Sequence, residues 1–276
     1  MASGVKTDGA KNGAKNGVKS RFDRVRVFGV PVTPCTYDSA VDAILDAARE
    51  HQPYGVAALA THGLMTAVHD DDFLRAVERL DLVTPDGQPV RWALNLSLDD
   101  KLDDRVYGPD LADRVCAAAA RDGIPIYVYG STELTCAALE RSLARRYPNI
   151  KLAGIQPDRF RDASDAEDDD DVARIVKSGA GIVLVGRGCP RQELWVANHL
   201  DRVPCSMLAV GAAFDYLAGV LTRPPDWMQR AGLEWLHRLV QEPRRLWRRY
   251  LVTNSQFLLR FLPLWLATKL HTREAA

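Results

Sequence analysis

Several turns in this sequence set polar side chains immediately after short apolar runs, the place where an α/β protein keeps its chemistry. In Thr84-Pro85-Asp86-Gly87, the run Leu80–Val83 ends in a turn that presents one carboxylate. Turn chemistry alone explains the tetrapeptide, since Pro fixes φ and Gly accepts a positive φ. The same carboxylate could instead deprotonate an attacking hydroxyl. A second run ends in Gly186-Arg187-Gly188-Cys189-Pro190-Arg191-Gln192-Glu193. Gly186 and Gly188 would let backbone amides approach a diphosphate where a helix begins near Arg191. The third glycine of the dinucleotide fingerprint is absent. Gln192 suits contact with a sugar or base, or simple capping. Tyr129-Gly130-Ser131-Thr132 and Val210-Gly211-Ala212-Ala213 repeat the strand-to-glycine turn. Three such turns on one sheet edge point to a nucleotide pocket more firmly than any one of them.

Other candidates carry charge. Asp104-Arg105-Val106-Tyr107-Gly108-Pro109-Asp110 opens a helix, for which Pro109 and Asp110 are good starting residues. Arg105 is either a solvated surface cation or a ligand for anionic oxygen. From about Leu221 the composition turns to Trp, Arg and Leu, with ten basic against four acidic residues, a net of +6 in a chain whose formal charge is zero. Leu233, Leu236, Leu239 and Val240 share a helical face, and Leu246, Trp247, Tyr250 and Leu251 continue it past an expected kink at Pro243. Such a segment is either a packed amphipathic helix with solvated arginines or a cationic clamp on a diphosphate. Arginines set among Trp and Leu also suit an anionic membrane surface. Asp70-Asp71-Asp72 contains the acidic pattern of many metal-dependent sugar transferases, but helix capping explains it at lower cost. The acidic stretch Asp162–Asp171 reads as a solvated loop leading into a helix. His62 and His69 have no partners at metal-ligand spacing. No metal and no cofactor is expected.

The elements that must position these residues follow from periodicity. Gly55–Thr61, Pro125–Gly130, Gly181–Gly186 and Ser206–Gly211 read as buried parallel strands. Phe73–Leu80, Asp110–Arg121, Glu133–Tyr147 and Gln192–Leu200 read as helices between them. This alternation predicts an α/β fold with a doubly wound, mostly parallel, Rossmann-like sheet, its ligands beyond the carboxyl ends of the strands. The expected divisions are a flexible basic tail over 1–22, a catalytic domain over 23–220 and a helical, Arg-rich appendage over 221–276. Five scattered cysteines form no CxxC pair, which suits a reducing cytoplasm, and no signal peptide is evident. Phe257–Leu270, interrupted by Arg260, Pro263 and Lys269, is too short and too charged to span a bilayer. Overall neutrality gives no reason to expect a nucleic-acid partner.

The ordered set of motifs resembles the WecG/TagA/CpsF glycosyltransferases (glycosyltransferase family 26). The resemblance runs from about Val27 to Leu262. It comprises Thr61, Thr84–Gly87, Arg105–Asp110, Gly188–Glu193, Phe214-Asp215 with Gly219, Arg223-Pro224-Pro225, Gly232-Leu233-Glu234-Trp235, and the stretch from Glu242 to Tyr250. It implies an inverting, metal-independent transfer of a hexose, of N-acetylmannosamine type or related, from a UDP-sugar to a polyprenyl diphosphate-linked glycan. The products feed teichoic acid, common antigen or capsule synthesis at the inner face of the membrane. It implies Asp86 as base, with Thr61, Arg105 and Gln192 in the active site. The substrate-binding set it completes comprises Gly87, Gly108, Asp110, Gly130, Ser131, Gly186, Gly188, Pro190, Glu193, Gly211, Asp215, Arg223, Arg238, Arg245 and Arg248. A homo-oligomer is compatible with it. The chain departs from the family at Gly63, where Asn is usual, at Ser131, where Gly is usual, and at Cys189. Rival readings are a nucleotide-sugar epimerase or dehydrogenase, against which the missing GxGxxG and Tyr-x-x-x-Lys patterns count, and a non-catalytic UDP-sugar or membrane-surface binding protein.

Overall fold

The computed structural model describes residues 22–274, with residues 245 and 271–274 described by backbone alone. The expected basic tail, except for Phe22, lies outside the described residues. A short antiparallel hairpin comes first, β1 (Val25–Val27) with β2 (Val30–Val32). The chain then runs α1 (Tyr37–Arg49), β3 (Tyr54–Leu59), α2 (Thr61–His69), α3 (Asp71–Arg79), β4 (Leu82–Pro85), α4 (Gln88–Asn95) and α5 (Gly108–Asp122). Next come β5 (Ile126–Gly130), α6 (Glu133–Arg146), β6 (Leu152–Gln156), α7 (Asp165–Lys177), β7 (Ile182–Gly186), α8 (Arg191–His199), β8 (Ser206–Ala209) and α9 (Ala213–Leu217). The last part is helical: α10 (Asp226–Arg230), α11 (Glu234–Gln241) and α12 (Pro243–Glu274).

Six strands pair in the order β4-β3-β8-β7-β5-β6, all parallel. Successive side chains on a strand face opposite ways, and both faces are buried, which is why these strands read as unbroken apolar runs. On one face Ala57, Leu59, Tyr129, Val183, Val185 and Met207 meet α2, α3, α4, α7 and α8. On the other, Val56, Val128, Ile182, Leu184 and Leu208 meet α1, α5, α6 and α9. The connection leaving β3 thus enters a helix on the first face, whereas the connection leaving its neighbour β8 enters one on the second. A crevice opens where adjacent connections diverge.

Three local expectations change. The acidic stretch is mostly helix: Ser164 and Glu167 form a capping box at the start of α7. Asp171, read as surface charge, is fully buried. It accepts from the Tyr129 hydroxyl (3.0 Å), the Gln156 amide (2.7 Å) and the guanidinium of Arg159 (2.8 Å), so its charge is neutralised inside the fold. Pro243 kinks nothing, because α11 ends at Gln241 and Pro243 begins α12, where its missing N–H has no partner to lose. The first acidic run meets its expectation: Asp70 caps α3, its Oδ1 accepting from the Phe73 N–H at 3.0 Å.

Candidate active site

Asp86 follows β4 directly. Its own N–H donates to the Leu59 carbonyl (3.3 Å), tying it to the end of β3. Segment 104–107 runs beside the same strand end: the Val106 N–H donates to the Pro85 carbonyl (3.1 Å), and the Thr84 hydroxyl to the Val106 carbonyl (3.3 Å). This places Gly108, at the start of α5, against the carboxylate, which its N–H contacts. A Cβ there would stand 3.3 Å from Asp86 Oδ2 and 3.0 Å from the Ala58 Cβ. Burial pushes the Asp86 carboxyl up to about 7, and the negative charge of Glu234 adds to the rise. Arg105, the Gly108 N–H and Arg238 pull the other way. A carboxyl poised near neutrality is a competent general base.

Two cavities meet at Asp86. One, of about 370 Å³, lies between α2 and α4 on one side and α11 and α12 on the other. Its walls are largely apolar, with Trp92, Leu233, Trp235, Tyr250, Phe257 and Phe261. The other, of about 380 Å³, runs along the carboxyl ends of β7, β8 and β5, past Ser131, Gly186, Gly188, Gln192, Gly211 and Asp215. Either volume suits a small-molecule ligand. Asp86, His62, Tyr107, Arg238 and Arg249 belong to both walls and so mark the junction. The C-terminal helices reach this edge because α12 packs on α2 and buries Leu246 and Phe257, the latter in edge contact with Phe28 (5.6 Å).

In the polar cavity, Gln192 is held by its own turn. Its Oε1 accepts from the Gly188 N–H (3.1 Å), and its Nε2 donates to Glu193 Oε1 (2.9 Å). Gly211 (φ +52°) lets that amide approach, since a Cβ at 211 would stand 3.0 Å from Gln192 Oε1. Positive charge comes from α11 and α12 through Arg238 and Arg249, and from Arg187, which is paired with the buried Asp158 (3.1 Å).

The model of the family described as "Glycosyl transferase WecG/TagA/CpsF family" matches residues 25–271, nearly the whole chain. The chain belongs to this glycosyltransferase family. It is similar to an N-acetylglucosaminyldiphosphoundecaprenol N-acetyl-β-D-mannosaminyltransferase of Bacillus subtilis (strain 168). The two are 28% identical over 186 residues, covering 67% of this chain and 70% of that protein.

Within this WecG/TagA/CpsF chain the expected site residues divide. Asp86, Gly87, Thr61 and Arg105 line the apolar cavity, and Ser131, Gly186, Gly188, Gln192, Glu193, Gly211 and Asp215 the polar one. Gly108 contacts Asp86 from behind, and Gly130 ends β5 next to Ser131. Asp110 and Arg223 pair with each other (2.6 Å) and, like Pro190, line neither cavity. Arg105 was expected on a leaving diphosphate, but it lies over the Tyr107 ring (4.5 Å) and forms a bidentate ion pair with Glu234. Its charge is thus already matched by a carboxylate. Arg238 lies at the junction. Arg248 is exposed and lines neither cavity, while the side chain of Arg245 lies outside the described residues. Arg249, one residue beyond Arg248, takes the place at the junction. Glu234 and Arg249 carried no individual role in the sequence reading. Phe160, exposed at the rim of the polar cavity, gave no signal at all. Among the described residues, no group of three His, Cys, Asp or Glu side chains could hold a metal ion.

Proposed function

We propose that this glycosyltransferase moves a hexose, of N-acetylmannosamine type or related, from a UDP-sugar to a polyprenyl diphosphate-linked glycan, inverting the anomeric centre without a metal. The observation that carries the reading is one carboxyl, poised near neutrality, at the meeting point of a polar and an apolar cavity. The polar cavity, with its glycine turns, suits a nucleoside diphosphate-sugar. The apolar cavity suits an acceptor whose diphosphate continues into a lipid. The B. subtilis relative bears in its name a diphosphoundecaprenol-linked N-acetylglucosamine, and that acceptor class is carried over here.

Asp86 takes the proton of the acceptor hydroxyl as that oxygen attacks the anomeric carbon from the side opposite UDP. The C–O bond to the diphosphate breaks as the new C–O bond forms, giving inversion. Arg238 and Arg249 stabilise the negative charge gathering on the departing UDP. Arg105 is better assigned to Asp86, whose ionised form it favours.

Among the described residues no helix is long and apolar enough to cross a membrane. Helix α12 nevertheless exposes Trp247, Leu251, Leu259, Leu262, Leu266 and Leu270, with Arg260 and Lys269 among them. Apolar and basic groups on one helix suit the anionic inner leaflet. That surface would bring a lipid-borne acceptor to the apolar cavity. The test is turnover of Asp86→Asn with UDP-hexoses and a short prenyl diphosphate-sugar, in the presence of EDTA. The expected loss is at least about 10²-fold in kcat with UDP affinity nearly unchanged, and wild-type rate in the variant removes Asp86 from the reaction.

A further inference from the structure

The polar cavity contains two buried polar atoms that the fold leaves unmatched. Glu193 is 1% exposed, and while its Oε1 accepts from Gln192, its Oε2 has no hydrogen-bond partner among the described residues. His62 Nδ1 is likewise buried without a partner among them. An orphaned polar atom costs stability, so two in one cavity wall call for an explanation. Both residues line this cavity, and the charge of Arg249 acts on both. The segments that carry them approach each other: a Cβ added at Gly63 would stand 3.6 Å from Cys189 Sγ. The Cys189 thiol, a weak donor, also hydrogen-bonds the Glu193 carboxyl.

We propose that Glu193 and His62 form a subsite that reads one hydroxyl of the donor's hexose. The inference rests on assigning the polar cavity to a UDP-sugar. Position selects the sugar over the nucleoside, because His62 stands at the junction with Asp86, where the anomeric carbon must lie. Chemistry selects a hydroxyl. Burial pulls His62 down to about 4, so its ring is neutral, with one nitrogen donating and the other accepting. Burial pushes Glu193 up to about 7, so near neutrality its carboxyl either accepts or donates. A hydroxyl both donates and accepts and can satisfy either arrangement of protons. Gln192, fixed by Gly188 and Glu193, keeps one amide hydrogen for the same ligand.

The experiment compares the wild type, Glu193→Gln and His62→Ala on UDP-hexoses that each lack one hydroxyl, with UDP binding measured by calorimetry. In the wild type, removing the hydroxyl that is read should lower kcat/KM roughly 10- to 100-fold, the usual worth of a hydrogen bond to a charged group. In either variant that one penalty should shrink severalfold, while penalties at the other positions and UDP affinity stay as they were. Two variants keep the test alive should one fail to fold. Identical deoxy penalties in wild type and variants, or a matching loss of UDP affinity, overturn the assignment. A wild type that fails to bind UDP instead refutes the donor reading, and this inference with it.

Discussion

Replacing Asp86 by Asn should stabilise the protein at alkaline pH while stopping catalysis. In the folded chain the carboxyl titrates at about 7, against 3.8 for a free aspartate. Between those values the unfolded state has lost its proton and the folded state keeps it, so folding stability falls as pH rises through this window. A shift of three units at 1.36 kcal/mol each comes to about 4 kcal/mol. Residual contact with solvent at the cavity junction reduces this to roughly 2 kcal/mol. Asn matches the protonated acid in shape and can still accept from the Gly108 N–H, so the variant avoids most of that cost. At about 2–4 °C per kcal/mol for a chain of this size, the variant should melt some 4–8 °C above the wild type at pH 8. Near pH 4.5, where folded Asp86 is protonated in the wild type, the gap should largely close. Glu193 titrates in the same direction but is common to both proteins and cancels. Calorimetric melting of both proteins across this range is the assay. A variant less stable than the wild type at pH 8, or a gap that does not change with pH, would show that Asp86 is not held in a desolvated site.

Further predictions concern the groups around it. Glu234→Gln removes a charge that raises Asp86 and frees Arg105, which lowers it, so the acid limb of the kcat/KM–pH profile should move down from about 7 by roughly one unit; an upward move contradicts the electrostatics. Gly108→Ala would press a methyl group between Ala58 and Asp86, and kcat should fall roughly tenfold or more with UDP affinity kept, as steady-state kinetics with calorimetry can show. Arg249→Ala should lower kcat by roughly 10²-fold, whereas Arg248→Ala, altering an exposed residue, should leave kcat intact and weaken vesicle binding by about 1 kcal/mol. Equal effects of the two substitutions in either assay would undo the placement of α12.

The central strands were legible because burial on both faces writes them as continuous apolar runs. Strand β6 was not: Leu152–Gln156 lies at the sheet's edge, partly exposed and broken by Gly154, so neither alternation nor a buried run marks it. Asp86 could be picked out because it directly follows β4, and Gln192 because it starts the helix behind the glycine turn that leaves β7, and topology brings every parallel strand end to one edge. Arg105 was picked out as well, but its partner Glu234 stands 129 residues away, and no local pattern encodes that pairing. The choice between Arg248 and Arg249 depends on helix phase. One residue turns a helix by about 100°, so a misjudged start moves a side chain from the cavity to solvent. Asp171 was misread because an acidic run gives no hint that Tyr129, Gln156 and Arg159 wait inside the fold to receive one of its carboxylates.

The apolar cavity and the raised pKa of Asp86 have one physical origin. An open sheet edge alone would leave Asp86 in water, where a carboxylate is ionised at low pH and too weak a base to take a proton from a sugar hydroxyl. The walls contributed by α11 and α12 dry the junction and set Glu234 near it, and both effects push the carboxyl toward neutrality. The same helices carry Arg238 and Arg249 into the walls of both cavities, so on the proposed mechanism one segment would both desolvate the base and supply the leaving group's counter-charge. Those helices also present the exposed apolar and basic surface. On the proposed mechanism, seating that surface on a bilayer, tuning the base and supplying the cations would not be separable tasks for this chain: whatever holds α11 and α12 against the sheet edge would set all three.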